Sequence, residues 1–326
     1  MTPQRTFSAG ARRLPPPGAR QAAHPTGVAP AHQWAAARLP VVQCPRSPER
    51  RTRARGSSFA SRSDVGKPRR VGVKQGAAEP EGPPPSGIVS SPLGQRAAEV
   101  HARLARAIPA PRLELDFRNP WELLVATILA AQSTDRTINL VTPALFQSYP
   151  TPAALGAAPQ DEVERLVHET GFFRNKARAI REASRRITEA FGGEVPRTLE
   201  ALITLPGVAR KTANVVLAHA YRIAEGIAVD RHTARVSRRL GITEEEDPAA
   251  VEVDLCRLFP TTEWIDVGLR LQLHGRYVCT ARAPDCRHCP LNELCPSKRF
   301  APEGTIDARA ALEAARIAAQ GEPETP

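Results

Sequence analysis

From about residue 91 onward, apolar residues recur at three- and four-residue spacing, and no stretch of useful length alternates with period two. The pattern predicts an all-α fold. Leu93 to Ile108 has helical spacing and ends before Pro109. Asn119-Pro120 is a cap followed by proline at the first helical position, and it opens Trp121 to Ala131. That segment is apolar nearly all round, as expected of the buried central helix of its lobe. Ser133 or Thr134 is placed to cap a helix from about Asp135 to Phe146. Thr151-Pro152 opens a short helix, Pro159 to Glu169 forms another before Gly171, and Phe173 or Arg174 to Phe191 a longer one ending at Gly192-Gly193. Thr198 to Leu205 and Ala209 to Tyr221 follow, joined by a tight turn at Pro206-Gly207. Arg231 to Leu240 comes next, then a helix from Asp247-Pro248 to about Phe259, and a long one capped by Thr261 or Thr262 and running to about Tyr277. About 210 ordered residues suffice for two helical lobes, each with its own core. The expected division is a lobe at 112–222, a second lobe combining 91–111 with 223–300, and a tail at 301–326.

Composition sets the first 90 residues apart. The chain has 326 residues, a net charge of +11 and a pI near 10.0, which point to a polyanionic partner. Residues 1–88 hold 15 basic and 4 acidic residues, so they carry the whole excess, and the rest of the chain is neutral overall. Any DNA binding by the folded part must therefore come from locally grouped charge and backbone amides. The leader also holds 14 of the 32 prolines and 9 of the 21 glycines, with no helical or alternating pattern, so residues 1–90 are expected to be disordered. It reads as a loose arginine tether on DNA, a linker, an organelle-targeting segment, or residues upstream of the working start. Its prolines argue against a long amphipathic presequence helix. No apolar run approaches the roughly 20 residues of a membrane span. Nothing resembles a secretory signal, so the expectation is an intracellular, cytoplasmic and nucleoid-associated protein, with organelle targeting left open.

Candidate chemistry begins at Leu205-Pro206-Gly207-Val208-Ala209-Arg210-Lys211-Thr212. Two helices joined by so short a turn form a helical hairpin. The free N–H groups of the turn and of the second helix's first turn make an anion site, suited to one backbone phosphate. An isolated turn of this kind is more often a plain corner with a glycine cap. Lys211 shifts that balance: only Lys67, Lys74, Lys176, Lys211 and Lys298 among the 45 basic residues are lysine. An amine can lose its proton and form a Schiff base with a sugar carbon, which a guanidinium cannot. A solvated lysine remains the ordinary alternative. Asp230, in Val229-Asp230-Arg231-His232, is a good N-cap for the helix that follows. A carboxylate held there can also stabilise positive charge developing at C1′ or assist deprotonation of the amine.

Four of the six cysteines form Cys279-x6-Cys286-x2-Cys289-x5-Cys295. Four thiols so close, in a chain without a secretion signal, argue for metal over disulfides, and ligand count leaves a four-cysteine zinc site open. Cys44 lies in the leader, and Cys256 sits in an apolar helical pattern that suits a buried free thiol.

At the hairpin, at Lys211 and Asp230, and at the cysteine spacing, the chain resembles the endonuclease III family of the helix-hairpin-helix DNA glycosylase superfamily over roughly residues 93–300. The resemblance implies a bifunctional DNA glycosylase and abasic-site lyase of base excision repair, acting on oxidised pyrimidines in damaged double-stranded DNA as a monomer. It implies that Lys211 attacks C1′, that Asp230 is the essential carboxylate, and that Cys279, Cys286, Cys289 and Cys295 hold a [4Fe-4S] cluster. Leu205, Gly207, Val208, Ala209, Arg210 and Thr212 are then expected to grip DNA, with His232 beside Asp230 and with Arg282 and Arg287 between the cluster ligands. Gln132 matches the residue that fills the gap left by a flipped nucleotide. Of the adjacent aromatics Phe172 and Phe173, one is expected in the core, and Phe172 is favoured as a wedge between base steps. Ala209 departs from the family's usual glycine, which would strain a backbone with positive φ. Two alternatives stand beside this reading: a monofunctional adenine mismatch glycosylase and a non-catalytic DNA-binding iron–sulfur protein. The first lacks a lysine at the place of Lys211, and the second needs neither that amine nor Asp230.

Overall fold

The computed structural model describes residues 91–320. The leader with its expected disorder, Cys44 and residues 321–326 lie outside them. Among the described residues the chain is helical, with no strand. The elements are α1 (Pro92–Ala107), α2 (Pro120–Leu129), α3 (Asp135–Ser148), α4 (Pro152–Ala157), α5 (Gln160–Leu166), α6 (Phe173–Phe191), α7 (Leu199–Leu202) and α8 (Arg210–Tyr221). After them come α9 (Arg231–Arg239), α10 (Pro248–Leu258), α11 (Trp264–Tyr277) and α12 (Ile306–Ala318).

Caps explain most of the starts. Asn119 accepts from the Glu122 N–H at 2.9 Å, and Thr134, rather than Ser133, accepts from Thr137 at 3.2 Å. Every residue from Trp121 to Leu129 is buried, as the all-round apolar pattern requires. Four boundaries differ from the sequence expectation. The segment Pro159 to Glu169 breaks into α5 and a 3-10 turn at His168–Thr170. The first hairpin helix is only α7, because Thr204 and Leu205 close onto Ala201 and Leu202 with three-residue spacing before the turn. Neither Thr261 nor Thr262 caps α11; Thr261–Glu263 is a 3-10 turn on which the helix is stacked, and Glu263 makes no capping bond. The expected tail contains α12, capped by Thr305 and packed on α1 and α11.

The apolar core has two main clusters. One runs from Leu115 through α2, α3, α6 and α8 to Leu217. The other joins Ala97, Val100 and Leu104 of α1 to residues from Ile227 to Leu291, including Cys256, which is a buried free thiol. Fully burying one such Leu, Ile or Val side chain is worth about 1.5–3 kcal/mol, so each cluster holds together a helical lobe, the second drawing on residues 97–104 and 227–291. A smaller group, with Ile108, Leu269, Leu273 and Ala310, attaches α12. No helix among the described residues is long and apolar enough to cross a membrane.

Candidate active site

Gly207 has φ +77°, and a Cβ there would lie 2.9 Å from the Ala179 Cβ. Only glycine makes this turn so close to α6. Leu205 and Val208 point into the core, so only their backbone can face a ligand. Ala209 lies at φ −89°, ψ 169°, an extended conformation any residue adopts, so alanine introduces no strain there. No side chain caps α8, and its first turn carries Arg210, Lys211 and Thr212. The exposed N-terminus of an uncapped helix attracts anions through its N–H groups and dipole.

The Arg210 guanidinium is committed to Glu252 of α10, with Nε to Oε2 at 2.8 Å and Nη2 to Oε1 at 3.1 Å. Asn214 donates to the same carboxylate at 2.9 Å. A Cβ on Gly226 would stand 2.0 Å from Glu252 Oε1, so that glycine lets the carboxylate reach the loop leading to Asp230. Glu252 thus pins the start of α8, α10 and the approach to Asp230 into one frame. Lys211 is exposed, and among the described residues no ion pair engages it, with Asp230 or with any other carboxylate.

Asp230 N-caps α9: its Oδ1 accepts from the N–H groups of His232 and Thr233, both at 2.8 Å. Oδ2 takes no part in the cap. The same residue therefore caps a helix and presents a fixed oxygen. Gly268 and Gly275, seven apart on one face of α11, allow that helix to press against Ile227 and His232 on either side of Asp230. His232 is half-buried, and burial holds its imidazole below the usual histidine range, so at neutral pH it offers a neutral ring. Its nitrogens lie 3.3 Å from Arg231 and from Arg235. Arg276 of α11 ion-pairs with Glu114 and with Asp135 at the head of α3, tying the second lobe to the first.

Gln132 and Phe172 share a rare feature. Both are left-handed, at φ +56° and +48°, in a set that otherwise includes only Arg222 among the described non-glycine residues. Such residues cost about 1–3 kcal/mol each and collect at functional sites. Gln132 is exposed, and Phe172 is 67% exposed. Phe173 is the core member of the aromatic pair, packed at 4.5 Å from the His168 ring. Lys176 is buried beneath this turn and donates to the Thr170 carbonyl at 2.6 Å, so it braces the segment that projects Phe172. Burial lowers its pKa. The rarity of lysine did not distinguish this bracing amine from Lys211; burial does.

The four cysteines line one cavity of about 170 Å³, with Val236, Leu240, Val278 and His274 in its wall. Arg239 donates to the Cys279 Sγ at 3.3 Å and to the Thr280 carbonyl at 2.7 Å, while Arg235 donates to the Cys279 carbonyl at 3.1 Å. Cys295 Sγ donates to the Arg239 carbonyl at 3.3 Å. Among the described residues, no three His, Cys, Asp or Glu side chains are arranged around one metal ion. Arg282 is exposed, whereas Arg287 pairs with Glu303 and lies 5.0 Å over the Phe300 ring. Sequence reading missed Glu252, Arg235, Arg239 and Arg276, which present no motif and find partners about 40 or more residues away.

Residues 125–261 match the HhH-GPD superfamily of base excision DNA repair proteins. The endonuclease III of Synechocystis sp. is 53% identical over 62% of this chain and 93% of its own length. That of Bacillus subtilis is 44% identical over 59% of this chain and 88% of its own. A trapped covalent endonuclease III–DNA intermediate superimposes with a TM-score of 0.61 at 41% identity, covering 63% of this chain and 96% of that one. A thermostable thymine-DNA glycosylase, 22% identical with a TM-score of 0.58, shares the fold. The chain belongs to the endonuclease III family, and is a base excision repair enzyme with DNA N-glycosylase and abasic-site lyase activity.

Proposed function

We propose that this enzyme removes oxidised pyrimidines from double-stranded DNA through a Schiff base on Lys211 and then cleaves the strand by β-elimination. The observation that carries this reading is that α8 opens on an exposed Lys211 bridged to no carboxylate among the described residues, while α9 opens on an Asp230 whose carboxylate is locked by two N–H groups. The uncapped start of α8 and the Gly207 turn bind a backbone phosphate, and the monomer bends the duplex so that the lesion turns out. Gln132 and Phe172, already projecting, fill and prop the vacated stack. Related endonuclease III structures described as a DNA complex and a trapped covalent intermediate support both the partner and a covalent step.

In the chemical step the lone pair of the Lys211 amine forms a bond to C1′ as the glycosidic C–N bond breaks, and the electron pair leaves with the base, which takes a proton. Asp230 supports the positive charge that builds on the sugar and accepts the proton the amine must shed. The nitrogen lone pair then forms a C=N bond as the C1′–O4′ bond opens and O4′ takes a proton, and the positive charge of the resulting iminium makes a C2′ proton acidic. Loss of that proton expels the 3′ phosphate oxygen, and water then releases Lys211.

Cys279, Cys286, Cys289 and Cys295 fit a [4Fe-4S] cluster. The four line one shared cavity, and their spacing, which matches the iron–sulfur loop of the endonuclease III family, supports a cluster over a four-cysteine zinc ion. A bound cluster supplies a rigid loop carrying Arg282; glycosidic cleavage needs no redox step.

Duplexes carrying one oxidised pyrimidine, or one adenine opposite an oxidised guanine, test the substrate class. Excision with strand cleavage at the pyrimidine alone is expected. Adenine release without cleavage would replace this reading with the mismatch glycosylase.

A further inference from the structure

The C-terminal helix α12 turns charge inward. Arg309 and Glu313 are each 1% exposed, and Arg316 lies one turn further along the same face. Buried charges are costly unless paired, and one oxygen of Glu313, Oε2, has no hydrogen-bond partner among the described residues. Packing alone would favour apolar side chains at these positions. All three instead engage the cysteine loop or the helix that feeds it. Arg309 ion-pairs with Glu293, which stands between Cys289 and Cys295. Arg316 ion-pairs with Asp285, the neighbour of Cys286. Glu313 Oε1 lies 2.8 Å from His274 Nδ1, and the opposite edge of that ring faces the Cys289 Sγ, with Nε2 at 3.7 Å. One helical stripe therefore meets the loop at two points, next to Cys286 and two residues before Cys295, and reaches Cys289 through His274.

We propose that α12 is a clamp on the cysteine loop, with Glu313 as a positioning residue that holds the His274 ring against Cys289 and so slows loss of the cluster. The proposal rests on the cluster reading above. A metal ligand held by an outer partner keeps its place when neighbouring bonds open, and removing such partners commonly weakens metal retention about 10–100-fold. Arg309 and Arg316 restrain the loop on either side, so release of one cysteine does not spread to the next.

The test uses the full-length chain and its Glu313→Ala, Glu313→Gln and Arg316→Ala variants. Iron and sulfide are measured on the purified proteins, and bleaching of the visible absorbance is followed in ferricyanide with a chelator. Glu313→Ala should bleach about tenfold faster than wild type. Glu313→Gln, which keeps an acceptor at Nδ1, should stay near wild type, and Arg316→Ala, a partly exposed pair, should bleach about twofold faster. The thermal midpoint of Arg316→Ala should be close to that of wild type, which separates cluster retention from general unfolding. Brown variants that all bleach at the wild-type rate would overturn the clamp alone. Colourless, zinc-loaded wild-type protein would overturn the cluster reading and the clamp with it.

Discussion

At Gly207 two constraints coincide: a left-handed backbone and an Ala179 Cβ 2.9 Å from where a side chain would begin. Gly207→Ala should therefore cost about 2–3 kcal/mol in urea unfolding, combining the left-handed penalty with overpacking. Ala209→Gly should change stability by less than about 1 kcal/mol, because the backbone there is already extended and glycine is tolerated at an N-cap. A large stabilisation from that change would mean that alanine is strained after all. Asp230 allows its two duties to be separated. Asparagine caps as well as aspartate does, so Asp230→Asn should keep the unfolding free energy within about 0.5 kcal/mol of wild type. Its excision rate should nevertheless fall by about 10²–10⁴-fold, the usual contribution of a positioned acid or base. Equal losses of both would reduce Asp230 to a cap.

The helix α8 carries the proposed nucleophile at one end and a titratable ring at the other. His219 sits in its last turn, where burial, assisted by the charge of Arg222 and opposed by Asp266, lowers its pKa to about 4. An unfolded histidine titrates near 6.5. Between these values the unfolded chain binds the extra proton, so stability is fully present above about pH 6.5, falls with pH, and has lost this contribution below about pH 4. The contribution is at most about 3 kcal/mol, and less because the ring is partly exposed. His219→Gln should remove that slope: urea midpoints at pH 7.5 and pH 4.5 should differ less in the variant than in wild type. An identical drop in both proteins would place the acid sensitivity of this element elsewhere.

Across the molecule, the parts legible in the sequence were those governed by local chemistry. Asn119-Pro120, Thr151-Pro152 and Asp247-Pro248 start helices where caps and proline geometry say they should. Lys211, Asp230 and the cysteine spacing stood out because few side chains can do their chemistry. The left-handed backbone at Gln132 and the charged inner face of α12 were not legible, because both depend on tertiary partners; an inward Arg309 and Glu313 hide the apolar stripe that usually announces a packed helix. Glu252, which holds α8 against the approach to Asp230, was equally silent. The central claim is that two lobes present one amine to a flipped sugar, and reductive trapping tests it most directly. With borohydride and an abasic-site duplex, the wild-type chain should give a covalent protein–DNA band on a denaturing gel, and Lys211→Ala should give none while still binding the duplex. A band of equal strength from Lys211→Ala would contradict the account.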